Sequence, residues 1–153
     1  MDESQEKQAW IVALRLLAAT PKSRGKLFEK LRDKGFAEEV VNKTLDGLEA
    51  KGLLSDKAFA QDLVSKYLHS QPSGTRRIRF ELKRRGVSKA VCEEVLSGLD
   101  PENERERAKE ISLQKWARFK NLEPQKRKKK IYDFLLRRGF DFDLIREVVE
   151  EIS

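Results

Sequence analysis

One pattern of apolar residues around a glycine occurs three times along this chain. The glycines are Gly35, Gly86 and Gly139, separated by 51 and 53 residues. In every copy, apolar residues lie 8 and 4 positions before the glycine and 1, 5, 10 and 13 positions after it. All eighteen positions are apolar, whereas the overall apolar content of 39% would give about seven. Such a repeat restricts the chain to a tandem array of similar units that each bury the same face. The eighteen positions are Leu27, Leu31, Phe36, Val40, Leu45 and Leu48, then Ile78, Leu82, Val87, Val91, Leu96 and Leu99, then Ile131, Leu135, Phe140, Leu144, Val149 and Ile152.

The spacing within each copy predicts helices. Residues 8 and 4 positions before a glycine lie on one face of a helix. The glycine suits the left-handed conformation that follows a helix C-terminus, here after Lys34, Arg85 and Arg138. Acidic or small polar residues follow each turn, which favours the start of another helix. No segment alternates apolar and polar residues between turn dipeptides, so the sequence predicts no strand.

A further helix precedes each repeated pattern. These helices are predicted at 9–19, 56–70 and 104–120, and the breaks after them at Thr20–Pro21, Gln71–Gly74 and Glu123–Pro124. The segment 97–102 is predicted as a short break, and no long flexible linker is present. We therefore predict an all-α fold of three tandem three-helix units that share apolar surface in an elongated, curved array. The predicted units are residues 1–53, 54–100 and 101–153.

Residues suited to catalysis or metal binding are scarce. Cys92 takes the same place in its repeat as Val41 and Ile145, which favours packing in a core. His69 is the single histidine and has no partner for acid–base catalysis in its sequence neighbourhood. One cysteine excludes a disulfide framework, and with one histidine it leaves too few soft ligands for zinc. We predict a chain that is not an enzyme and has no catalytic residue, cofactor or metal site.

The sequence also indicates the cellular compartment of the protein. No window approaches the ~20 apolar residues that span a bilayer. The first residues, 1–6, are polar and acidic, unlike the start of a signal peptide. We expect a cytoplasmic monomer that makes no membrane contact.

Basic residues are concentrated in two segments. The formal net charge of +7 favours a polyanion or an acidic protein surface as the partner. Residues 71–89 carry seven basic and one acidic side chain, and residues 115–138 carry ten and two. Residues 1–53 are nearly balanced, with ten and nine. The predicted contact residues therefore lie on the middle helices of the second and third units. A lysine run such as 126–130 is, however, also typical of a solvated surface. The predicted contact residues are Arg76, Arg77, Arg79, Lys83, Arg84, Lys126, Lys129, Lys130 and Arg137.

Phe80 interrupts the basic face of its helix. An aromatic ring among cations suits a protein interface or stacking on a nucleic-acid base. It equally suits contact with an adjacent repeat, and we favour that second interpretation.

Three segments, 52–60, 76–87 and 134–140, are distinctive in sequence. They resemble the RecX family of recombination regulators, and the resemblance extends over nearly the whole chain, most specifically in its middle. It implies tandem three-helix units without catalytic residues. It also implies action on the RecA recombinase filament on single-stranded DNA, inhibiting it from within the filament's helical groove. The connection His69–Gly74 departs from the family's glycine-containing basic stretch, and Lys66 is a candidate for the missing charge.

Three function classes follow from these observations. The leading hypothesis is a regulatory protein that binds the RecA filament and touches single-stranded DNA through weak electrostatic contacts. The alternative is a general nucleic-acid-binding protein of tandem helix-turn-helix-like units, which the glutamates on the predicted third helices oppose. An adaptor array that binds a peptide is the third class. Capping, groove binding and filament disassembly all stay open as routes of inhibition.

Overall fold

The computed structural model describes residues 3–153, which form nine α-helices and no strand. The all-α prediction is confirmed. The predicted polar N-terminus includes Met1 and Asp2, which lie outside the described residues. None of the described helices is long and apolar enough to cross a membrane. In chain order the helices are α1 (Glu3–Ala19), α2 (Arg24–Asp33), α3 (Glu38–Ala50), α4 (Asp56–His69), α5 (Thr75–Arg84), α6 (Lys89–Ser97), α7 (Pro101–Arg118), α8 (Pro124–Arg137) and α9 (Phe142–Ile152).

The helices belong to two compact lobes. The first lobe consists of residues up to 61 together with 82–92, and the second consists of 62–81 together with 93–153. The division runs through α4, α5 and α6. The bounds 1–53, 54–100 and 101–153 therefore stay a prediction.

Helices α1, α2 and α3 enclose the core of the first lobe. Leu27 and Leu31 of α2 and Leu45 and Leu48 of α3 are fully buried, as the repeated pattern predicts. Ala13 of α1 completes the contact, because its small side chain lets the helices approach closely. Partly buried aromatic and aliphatic residues surround this cluster. They are Trp10, Val12, Leu16, Leu17, Phe28 and Phe36.

Helices α7, α8 and α9 build the equivalent core of the second lobe. Its fully buried members include Ile131 and Leu135 of α8, Phe140 after the turn and Ile145 of α9. Ala108 of α7 takes the place that Ala13 takes in the first lobe. The two cores therefore repeat one packing scheme with different side chains.

Burial on the third helix differs among the three repeats at one of the predicted apolar positions. Val40, 5 residues after its glycine, is fully buried, but Val91 and Leu144 are only half-buried. The next residues along, Val41, Cys92 and Ile145, are fully buried in all three copies. The core interpretation of Cys92 is thus confirmed.

Two helices begin earlier than predicted. Helix α1 starts at Glu3 instead of residue 9, and its Glu6 carboxylate pairs with the Lys43 ammonium at 3.0 Å. Helix α7 starts at Pro101 instead of residue 104, so the break predicted at 97–102 is limited to residues 98–100. Asp100 caps α7 by accepting a hydrogen bond from the Glu102 amide at 3.0 Å. A proline in the first helical turn is favourable, since its fixed φ suits the helix and no amide hydrogen is needed there.

The repeated glycines close their helices as expected. Gly35, Gly86 and Gly139 have φ of 96°, 83° and 84°, in the left-handed region. The apolar residue after each glycine donates its amide to the carbonyl of the leucine 4 positions before the glycine, as in Phe140 to Leu135 at 3.2 Å. This hydrogen bond is the Schellman pattern, which an apolar contact usually accompanies.

The start of one helix packs against such a glycine turn in each lobe. In the second lobe, the Gly74 amide donates to the Arg138 carbonyl at 2.8 Å and the Arg76 amide donates to the Gly139 carbonyl at 3.2 Å. A Cβ on Gly74 would lie 2.3 Å from the Gly139 oxygen, so only glycine fits. We call this backbone contact the helix–turn joint.

The first lobe contains the same joint. There the Ser23 hydroxyl donates to the Arg85 carbonyl before Gly86. A Cβ on Gly25 would lie 2.7 Å from the Gly86 oxygen. Both joints depend on glycine where one backbone approaches another.

We expect Gly139→Ala to destabilise the chain much more than Gly35→Ala. Both substitutions place a side chain at a left-handed φ, which costs about 1–2 kcal/mol. A Cβ at position 35 meets open space, whereas one at position 139 would lie 2.4 Å from the Arg77 amide nitrogen and Cβ. This overpacking adds about 1–3 kcal/mol. Urea unfolding of both variants measures the difference, and equal losses of stability would contradict the joint.

Candidate functional site

Three of the five predicted contact residues of α5 already have partners within the second lobe. The Arg76 guanidinium pairs with the Asp141 carboxylate at 3.2 Å, and the Arg79 guanidinium pairs with Glu93 at 2.6 Å. Arg77 is half-buried, with its guanidinium 5.4 Å from the centre of the Tyr67 ring.

Lys83 and Arg84, the other two predicted residues of α5, are exposed and belong to the first lobe. Exposed ion pairs such as Arg76–Asp141 contribute about 0–1 kcal/mol, so a partner's carboxylate or phosphate can replace the internal one. Arg76 and Arg79 are therefore oriented by their internal ion pairs but can exchange them for a partner's acidic group.

Phe80 lies between these cations and is 61% exposed. The favoured interpretation, that its ring packs against an adjacent repeat, is wrong. Ile78 and Leu82 fill the apolar face of α5 instead, and both are fully buried.

The four predicted residues of α8 share one solvent face. Lys126, Lys129, Lys130 and Arg137 are all exposed. At ~100° per residue they lie within about a third of the helix circumference. Arg137 lies ~16 Å from Lys126 along the helix axis.

The first half of α8 and the end of α7 form a surface that we call the basic corner, residues 115–130. It carries eight basic side chains and one acidic side chain, an excess equal to the formal net charge of the whole chain, +7. Within residues 3–153, none of the eight forms an ion pair within 4.0 Å. The corner therefore presents its charge to solvent without internal neutralisation. Its basic residues are Lys115, Arg118, Lys120, Lys126, Arg127, Lys128, Lys129 and Lys130.

Arg127 holds the corner together, a role that the sequence did not indicate. Its Nε and Nη2 donate to the Trp116 carbonyl at 3.0 and 2.6 Å. Its guanidinium also stacks on the Trp116 ring at 3.7 Å, and the Lys130 ammonium lies 6.0 Å from the Phe119 ring. Planar hydrogen-bond donors and a polarisable ring suit arginine better than lysine. The helix end of α7 is thereby fixed to the first turn of α8.

A groove of about 790 Å³ lies beside the connection between α4 and α5, within the second lobe. Arg138 Nη1 donates to the Pro72 carbonyl at 3.0 Å, and Arg107 Nη2 donates to the Ser73 carbonyl at 3.3 Å. Burial lowers the pKa of both guanidinium groups. The two arginines thus hold the connection from the groove side.

This connection is the part of the sequence that departs from the family pattern. Lys66, the candidate for its missing charge, is exposed with its ammonium 5.5 Å from the Tyr67 ring. His69 is exposed and lines the groove. Among the described residues, no cluster of histidine, cysteine and carboxylate side chains is suited to hold a metal.

Comparison with protein families accounts for all three repeats. The chain matches three models, described as the first, second and third three-helix domains of RecX, at residues 9–48, 55–96 and 102–149. The chain belongs to the RecX family. The family resemblance of the sequence and the tandem three-helix architecture are thereby confirmed.

Relatives that match over more than nine tenths of this chain carry the name regulatory protein RecX. The protein from Chlorobium phaeobacteroides (strain BS1) is 34% identical over 152 residues, which cover 99% of this chain and 98% of that protein. The one from Clostridium botulinum (strain Alaska E43 / Type E3) is 37% identical over 141 residues, which cover 91% of this chain and 66% of that protein. As a member of this family, the chain is a regulatory protein.

Two solved structures share the fold. The crystal structure of RecX from Lactobacillus salivarius matches with a TM-score of 0.88 at 20% identity, covering 99% of this chain and 98% of that one. A crystal structure of regulatory protein RecX matches with a TM-score of 0.83 at 24% identity, covering 95% and 73%.

We expect Arg127→Lys to destabilise this RecX-family chain although the charge is kept. The substitution removes two hydrogen bonds to the Trp116 carbonyl and the stacking on its ring, which together contribute about 1–3 kcal/mol. Lys126→Ala, on the same helix and exposed, is the control and should change stability by less than about 0.5 kcal/mol. Thermal melts compare the two, and an unchanged melting temperature for Arg127→Lys would exclude a structural role.

Proposed function

We propose that this regulatory protein binds the RecA recombinase filament on single-stranded DNA and lowers its assembly, ATPase activity and strand exchange. The observation that carries the proposal is the basic corner, whose eight cations lack ion pairs within residues 3–153. Membership of the RecX family supports the choice of partner. Action is through binding alone, without chemistry on the filament.

The physical basis is electrostatic. Lysines on a strand's phosphates release condensed counterions, which favours binding to any sequence at low salt. Lys126, Lys129 and Lys130 reach solvent on one helix face, so several can contact one strand together. The contact is weak for bare DNA and is strengthened where protein and strand meet in a filament. Arg76, Arg77, Arg79, Lys83, Arg84 and Arg137 complete the proposed contact set.

A general DNA-binding function by helix-turn-helix units is less well supported. The third helix of such a unit would enter the major groove, but α6 carries Glu93 and Glu94 and α9 carries Glu147 and Glu150. These carboxylates repel phosphate. Cytoplasmic action as a monomer is part of the proposal, since a sequence with one cysteine has no disulfide framework and fits a reducing compartment.

The direct test is DNA-dependent ATP hydrolysis by RecA with and without this protein. We expect hydrolysis to fall, and filaments to shorten in electron micrographs, at amounts of protein substoichiometric to DNA. Unchanged ATPase activity and unchanged filament length at saturating protein would refute the proposed function.

The second test measures affinity for bare single strands across a salt series. The variant with Lys126, Lys129 and Lys130 replaced by Gln should have a salt slope smaller by about two, since each lost phosphate contact removes about 0.7.

The matched control has the same charge loss in the first lobe. Lys7, Lys30 and Lys34 are exposed there and are replaced by Gln. If both triple variants lower the slope equally, the effect reflects total charge and the basic corner is not a binding surface.

A further inference from the structure

Two phenylalanine side chains of the second lobe are exposed where two helices meet. Phe80, on α5, is 61% exposed, and Phe142, the first residue of α9, is 50% exposed. Neither belongs to the repeated apolar pattern that builds the cores. Their exposure is therefore not a by-product of core packing.

Arg76 links the two rings. It precedes Phe80 by four residues on α5, which places the two side chains next to each other on the helix surface. Its guanidinium lies 5.8 Å from the centre of the Phe142 ring. Tyr132 of α8 supports that ring from another side, with 6.2 Å between ring centres. We call Arg76, Phe80, Tyr132 and Phe142 the aromatic–arginine cluster.

The charge at the Phe142 end of this cluster is balanced, in contrast to the basic corner. Arg76 pairs with Asp141 at 3.2 Å, and Arg146 pairs with Asp143 at 2.8 Å. The two aspartates flank Phe142 in sequence and both are exposed. Their carboxylates repel phosphate, so a nucleic-acid strand gains nothing here that the basic corner does not offer better.

The composition of the cluster is that of a protein interface. Aromatic residues and arginine are enriched in the buried centre of such interfaces, and charged pairs at the rim are close to neutral in energy. A protein surface with apolar side chains would cover the two rings. Its carboxylate or carbonyl oxygen would accept from Arg76, whose pairing with Asp141 is exposed and exchangeable.

We propose that the aromatic–arginine cluster docks onto the protein surface of a recombinase subunit, while the basic corner contacts the DNA strand. This division of roles rests on the proposed function. It assigns protein contact and strand contact to different sets of side chains in the second lobe.

The experiment compares two double variants. One replaces Phe80 and Phe142 by Ser. The control replaces Ile11 and Leu113 by Ser, because these two side chains are also exposed and apolar but lie outside the cluster. Binding is measured to an oligo-dT strand and to the RecA filament preassembled on the same strand, at one salt concentration. The cluster variant should bind the filament about tenfold more weakly and bare strand within about twofold of the unmodified chain. The control should stay within about twofold in both assays.

Other results would overturn the inference in distinguishable ways. Parallel loss of bare-strand binding would identify the rings as a stacking platform for bases. Self-association of the unmodified chain that the cluster variant abolishes would identify a second copy as the occupant. Equal filament binding by the cluster variant and the unmodified chain would refute the docking role of the cluster only. No filament binding by the unmodified chain would refute the proposed function as well. If the cluster variant loses helical circular dichroism, Phe80→Glu alone provides the same comparison.

Discussion

The helix–turn joint determines much of what this chain presents to its surroundings. Two backbones meet at Gly74 and Gly139 without room for a Cβ, and two amide-to-carbonyl hydrogen bonds close the contact. The Arg76 amide donates to the carbonyl of Gly139, which precedes Asp141 by two residues. The Arg76 side chain therefore starts close to Asp141, its ion-pair partner. The same contact brings Phe142 to Arg76. The surface chemistry of α5 therefore follows from a constraint on its backbone.

The fold could be predicted because its signals are local and repeated. Apolar spacing and helix-closing glycines act within about twenty residues, and three copies allow chance to be excluded. The differences between prediction and structure lie where a single residue determines a helix boundary or the depth of burial. Pro101 was taken as part of a break, although Asp100 caps the helix that begins there. The depth of burial on the third helices was not predictable from apolar spacing alone, because Val40 and Val41 are both fully buried, whereas Val91 and Leu144 are less buried than their neighbours Cys92 and Ile145.

The candidate site was predictable where its residues are close together in the sequence. The charge excess of residues 115–130 is visible in the sequence, since its residues are contiguous. The partners of the α5 arginines are not, because Arg76 and Asp141 are separated by 65 residues and meet only through the joint. The structural role of Arg127 was not predictable, because a run of basic residues does not show which side chain turns back onto Trp116.

The stacking of Arg127 on Trp116 has an optical consequence. The chain contains two tryptophans, and they lie in different lobes, Trp10 in the first and Trp116 in the second. The Trp116 indole is held 3.7 Å from a guanidinium within the basic corner, while Trp10 lies in the first core with the Lys51 ammonium 5.4 Å away. Indole emission depends on nearby charge and solvent, so each lobe carries its own intrinsic fluorophore. With Trp10 replaced by Phe, the remaining emission originates at the corner itself, so the proposed binding of a strand there can be tested without any attached dye.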